Sequence, residues 1–155
     1  MAVSNYAGCH HDVESPIDAD NHGVLFLNSH ISAQDVTDGT AHTIYVGEKL
    51  AYKDDLGWMS GTRATLRNTG TTLNMLGSGK GPVPPGGEPF DANAGLSDLT
   101  VGGFGGSHPN VVNFLFGDGG TKAIDKEIEM KVLRLLGNRA DGELLDRGPT
   151  RNELN

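Results

Sequence analysis

The segment Val111-Val112-Asn113-Phe114-Leu115-Phe116 restricts the possible folds of this chain more than any other. It is apolar, β-branched and aromatic, with Pro109 just before it and Gly117-Asp118-Gly119-Gly120 directly after, which is the pattern of a buried strand entering a tight turn. Thr121-Lys122-Ala123-Ile124 reads as the returning strand. The Asp118-Gly119 pair supplies the positive φ angles of a short hairpin turn, and Gly120 leaves room for a bulge. A helix is expected at once afterwards, with Asp125 as its N-cap, Ile128, Val132, Leu135 and Leu136 on one buried face, and Gly137 as its stop. Hairpin and helix together predict one packed unit.

The remaining chain must fold around that unit with modest apolar resources. Of 155 residues 36% are hydrophobic and 23 are glycine, which suits a single loop-rich β domain over 1–143 followed by a polar tail at 144–155. Val24-Leu25-Phe26-Leu27 and Thr43-Ile44-Tyr45-Val46 read as further short strands. Ser32 to Val36 can form a brief helical turn, and Thr37-Asp38-Gly39-Thr40 is a turn by composition. Trp58 and Met59 are expected at an edge of the core, whereas 61–87 is too rich in Gly, Thr, Asn and Pro to be other than mostly loop. The expected class is therefore α+β, mainly an antiparallel sheet with long loops and one helix packed on it.

Charge and motifs remove several functions. A formal charge of −8 argues against nucleic acid or an anionic membrane surface as partner, since both call for a basic patch. Gly77-Ser78-Gly79-Lys80-Gly81 touches a phosphate-loop pattern but lacks the Ser or Thr after the lysine and the earlier glycine. The lone Cys9 cannot make an internal disulfide and reads as a small buried thiol. No apolar run is long enough to span a membrane. For an enzyme, the nucleophile and base would be Ser107 beside His108, with Asp118 across the hairpin. Neighbouring strand residues point to opposite faces, and no nucleophile elbow surrounds the serine, so no catalytic residue is assigned. His108 is expected instead to pin the hairpin by bonding a backbone group or Asp118.

Two stretches have the donor types of metal sites. His10, His11, Asp12 and His22 form the densest set of transition-metal donors, but their irregular spacing among Pro, Asp and Asn favours solvated side chains in a surface loop. Asp91, Asn93 and Asp98 alternate oxygen donors around a glycine as calcium loops do, without the distal bidentate Glu of an EF-hand. A solvated acidic turn is the alternative for them.

Two blocks in order carry a family resemblance. One is Asp35-Val36-Thr37-Asp38-Gly39-Thr40-Ala41-His42-Thr43-Ile44-Tyr45-Val46-Gly47-Glu48. The other runs from Gly103-Phe104-Gly105-Gly106-Ser107-His108-Pro109 through Asp118-Gly119 to the Leu136–Glu143 segment, with nine residues between His108 and Asp118. The chain from about Ser4 to Glu143 resembles a large prepilin-like family of unknown function whose members look like type II secretion pseudopilins. It departs from the usual pattern at Ala41 and His42, where Ser and Asn are the rule. The resemblance implies an extracytoplasmic domain that assembles with itself or with other pilin-like subunits. It also implies a membrane link only through an N-terminal helix that this sequence lacks, and a structural role for Asp38, Gly39, Gly47, Glu48, His108, Asp118 and Gly119. Because major pseudopilins hold calcium in a loop of their β region, it makes calcium the cofactor to test at Asp91, Asn93 and Asp98. A surface module that binds a small solute, glycan or cation is the competing expectation.

Overall fold

The structure, a computed structural model, describes residues 4–50, 62–73 and 99–143. Its elements in order are β1 (Tyr6–His11), single 3-10 turns at Ala33–Asp35 and Thr40–His42, β2 (Ile44–Glu48), β3 (Leu66–Asn68), β4 (Val111–Phe116), β5 (Thr121–Asp125) and α1 (Met130–Gly137). One five-stranded sheet runs β3-β1-β2-β4-β5. Among the described strands β1 and β3 pair in parallel, and the other three pairings are antiparallel. The fold is α+β and mainly antiparallel, as the sequence indicates.

The hairpin of β4 and β5 forms for the reasons its residues suggest. Gly119 N–H donates to Phe116 O at 3.0 Å, and Phe116 N–H donates to Gly120 O at 2.9 Å. Gly119 itself has φ +84°. This is a tight turn closed by a left-handed residue and a bulge, and the Asp118 carboxylate braces it by accepting the Gly120 N–H at 2.8 Å.

Register then decides which side chains meet. Ala7, Gly47 and Phe114 lie opposite one another across β1, β2 and β4, on the face that buries Ile44, Val112, Phe116 and Ile124. Phe104, from the segment that leads into β4, packs edge-to-face on Phe114 with ring centroids 5.2 Å apart. Gly47 makes that pair possible, because a Cβ there would stand 2.5 Å from Phe114 and 2.7 Å from Phe104. Helix α1 closes the same face with Leu133 and Leu136, and Ile128, Met130 and Val132 pack against the cluster. Leu133 is fully buried, so its truncation to Ala would cost about 2–5 kcal/mol.

The chain departs from its expected course at several points. Asp125 ends β5 and caps a turn, its carboxylate accepting the Glu127 N–H at 2.8 Å, and the helix starts only at Met130. The later start brings Leu133 into the core in place of Leu135. Gly137 is the last helical residue and not a left-handed stop; a Cβ there would lie 1.9 Å from Thr69 Oγ1, so close approach to the end of β3 is its role. Val24 to Leu27 is not a strand: the Val24 and Leu25 amides both donate to Cys9 O, and the chain turns at Asn28, which has φ +57°. Conversely, β1 has no β-branched residue, and β3 lies inside the stretch read as loop. Trp58, Met59 and the segment 82–87 fall outside the described residues.

Candidate functional site

Among the described residues two clusters gather chemically capable side chains, one at each end of the β1–β2 pair. The first joins the two sequence blocks. At the end of β2 the Glu48 carboxylate takes the place of a strand partner for β4, accepting the Asn113 N–H at 2.9 Å and Asn113 Nδ2 at 3.1 Å. His108 Nε2 stands 3.3 Å from the same carboxylate. Glu48 O meanwhile accepts the Gly105 N–H at 2.9 Å, so the segment 103–108 is sewn to β2 through both backbone and side chain. Lys126 completes the arrangement by donating to the carbonyls of Gly106 and His108.

The expected partner of His108 is thereby corrected. Its imidazole meets Glu48 and not Asp118, whose carboxylate is engaged at the hairpin tip with Gly120. Four of the motif residues serve this packing: Gly47 admits the two rings, Glu48 and His108 pair, and Gly119 turns the hairpin. Asp38 and Gly39 lie elsewhere. Gly39 has φ +94°, and the Asp38 carboxylate accepts the Asp141 and Gly142 amides at 2.8 and 2.9 Å. It fastens the chain beyond α1 to the loop before β2. Asp91, Asn93 and Asp98 lie outside the described residues.

The second cluster stands at the far end of β1, where the sequence suggested a solvated loop. His10 and His11 are in the strand and buried. His10 Nδ1 contacts Asn21 Oδ1 at 3.0 Å; that oxygen also accepts the Asp18 N–H, so the imidazole is the donor. His11, Asp12 and His22 converge, each offering a ligand-type atom within 4.8 Å of the other two. Asp12 Oδ1 lies 2.5 Å from His11 Nδ1 and 3.0 Å from His22 Nδ1, and the two rings are 4.4 Å apart.

The surroundings hold this group in place. Asp12 Oδ2 accepts from Asn138 Nδ2 at 3.1 Å. Arg139 donates to Asn21 O and Gly23 O at 2.6 and 2.7 Å, clasping the residues on either side of His22, and the Arg139 N–H donates to His22 O. Burial pushes His11 below the usual imidazole range, against the opposing pull of Asp12, which leaves the ring neutral at pH 7. Burial also works against a charge on Asp12, but hydrogen bonds from Asn138 and His11 outweigh it and hold the carboxyl below its usual range. Sequence spacing missed the convergence because His22 comes ten positions after Asp12, and only the loop clasped by Arg139 brings them together.

Residues 1–131 match the model of a family described as a protein of unknown function, DUF1559, a span that includes the Asp35–Glu48 block and the His108–Gly119 signature. No curated protein and no solved structure matches the chain.

Proposed function

The chain belongs to the DUF1559 family of proteins of unknown function, and from that premise we propose that it is a non-enzymatic, extracytoplasmic assembly domain of prepilin type. It docks on a second copy of itself or on another pilin-like subunit. The observation that carries the reading is the half-bare outer face of the sheet. Gly8, Val46, Leu115 and Thr121 lie opposite one another in one row across β1, β2, β4 and β5. Leu115 is 37% exposed, Tyr6 two residues before Gly8 is 56% exposed, and Leu25, which would touch a Cβ on Gly8, is 40% exposed.

An apolar strip along a pleated face is a natural docking surface, because covering it removes hydrocarbon from water at roughly 25 cal/mol per Å². The edges serve less well. β5 has exposed Lys122 and Asp125, and β3 is only three residues long, both features that discourage strand addition. The non-enzymatic part of the reading is supported by Asp118, the acid the sequence offered to Ser107 and His108, being engaged with Gly120 at the hairpin tip. Among the described residues no helix is long and apolar enough to cross a membrane.

Sedimentation velocity over a concentration series tests the proposal. The wild type is expected to associate as concentration rises, and Leu115→Lys, which places a charge in the strip without touching the core, is expected to stay monomeric with an unchanged melting temperature. A wild type that is monomeric throughout, or a Leu115→Lys variant that associates equally well, refutes the docking face. Stabilisation of a strictly monomeric protein by a glycan or solute would favour the binding-module reading.

A further inference from the structure

No part of the assembly reading uses the His11–Asp12–His22 cluster. We infer that these three residues form a solvent-reachable binding site for a divalent transition-metal ion of the zinc class.

The donor set defines the class. Two imidazoles and one carboxylate suit zinc, cobalt or nickel, whereas calcium and magnesium prefer an all-oxygen shell. The donor atoms already lie within 4.8 Å of one another. Tetrahedral zinc places nitrogen and oxygen ligands about 3.3 Å apart, so closing on an ion needs side-chain movements of about 1 Å. His22 can make them, since its side chain is half exposed, and that same exposure is the entry path and leaves a position for water or another ligand.

The three groups crowd one point, where a cation would be held by all of them. The Asp12 and Val13 amides point at His11 Nδ1, at 2.9 and 3.4 Å, so amides that need its lone pair and a carboxylate that needs its proton compete for one nitrogen. Asp12 Oδ1 faces the same nitrogen at 2.5 Å, and His22 Nδ1 converges on that oxygen at 3.0 Å. Ring protons can satisfy both contacts in the metal-free chain, and zinc would displace them on binding. One divalent ion bound by both rings, with part of its charge offset by the carboxylate, would hold all three groups at once.

The supporting contacts are those a metal centre requires. Asn138 fixes the second carboxylate oxygen, as outer-shell partners do, and Arg139 fixes the backbone on either side of His22. The ion would join the end of β1, the 21–23 loop and the residues just after α1. It would thus fasten the C-terminal end of the helix to the sheet.

The test uses the full chain stripped of metal with a chelator. Zinc is titrated by calorimetry, and cobalt is followed by its visible absorption, which reports nitrogen and oxygen coordination. One equivalent per chain is expected, with a rise in melting temperature on zinc addition and no competition from calcium. His22→Ala is the informative variant because its exposed side chain supports little packing. Its metal-free melting temperature should equal that of the wild type while its zinc affinity falls by about tenfold or more. His30→Ala, at an exposed histidine outside the cluster, should bind as the wild type does. Absence of zinc binding, undiminished binding by His22→Ala, or loss of binding in His30→Ala overturns the assignment. None of these outcomes depends on whether the protein self-associates, so this inference and the assembly reading fail separately.

Discussion

Replacing Gly47 by Ala is the sharpest probe of how the two sequence blocks are packed. The new methyl carbon would lie 2.5 and 2.6 Å from two ring carbons of Phe114 and 2.7 Å from one of Phe104. Ordinary carbon contacts fall at about 3.5–4.0 Å, so every approach is about 1 Å too short. Neither ring can yield cheaply. Both phenylalanines are 1% exposed, they are locked edge-to-face on each other, and Phe114 is paired in register on both sides. Overpacking of a filled core costs about 1–3 kcal/mol. For a chain of this size that corresponds to a fall of roughly 2–12 °C in melting temperature, at about 2–4 °C per kcal/mol. Urea denaturation followed by far-ultraviolet circular dichroism measures the loss directly. A double-mutant cycle locates it: Phe104→Leu, harmful alone, should be less harmful beside Gly47→Ala, with a coupling of at least about 0.5 kcal/mol. Gly47→Ala within about 0.5 kcal/mol of the wild type, the range of ordinary surface substitutions, would show that the close approach of β2 to the aromatic pair is wrong.

Gly119 tests the opposite case, a glycine kept for its backbone and not for space. No atom lies within 4 Å of a Cβ added there, yet φ is +84°, so Gly119→Val should lose about 1–3 kcal/mol and Gly119→Asn much less; equal losses in thermal melts would contradict a left-handed turn. Glu48→Ala should cost about 1–3 kcal/mol by leaving the Asn113 amide unpaired, with Glu48→Gln intermediate because it keeps one acceptor oxygen; a neutral Glu48→Ala in urea melts would remove the node. Burial, aided by the Asp12 charge and partly offset by a hydrogen bond to the His11 backbone, pushes the Cys9 thiol up to about 12. Thiolate is therefore scarce in the folded chain below that pH, and a thiol reagent at pH 8 should modify Cys9 only after denaturant is added; rapid labelling of the native protein would refute its burial.

The sequence by itself determined what depends on local chemistry. A β-branched and aromatic run followed by Asp118-Gly119 can do little but turn back on itself, and β4, β5 and the left-handed Gly119 follow. The Ser32 helical turn, the Gly39 turn and β2 were legible for the same reason, each being specified by residues within a few positions of one another. The tertiary structure alone decided the rest. β1 is a strand because β2 and β3 flank it, with glycine and cysteine fitting where bulk would not; nothing in Tyr-Ala-Gly-Cys-His-His demands it. Leu25 failed to become a strand residue because the amides of its segment are taken by Cys9 O. The helix waited until Met130 because Asp125 was held in β5 by its pairing with Val111. The two clusters follow the same division. His108 meets Glu48 from 60 positions further along the chain, and Asp12 meets His22 only through Arg139 and Asn138, more than a hundred residues later. Carboxylates and imidazoles show their donor and acceptor types in the sequence, but their partners are set by strand register and loop closure, which pairs residues regardless of their distance along the chain.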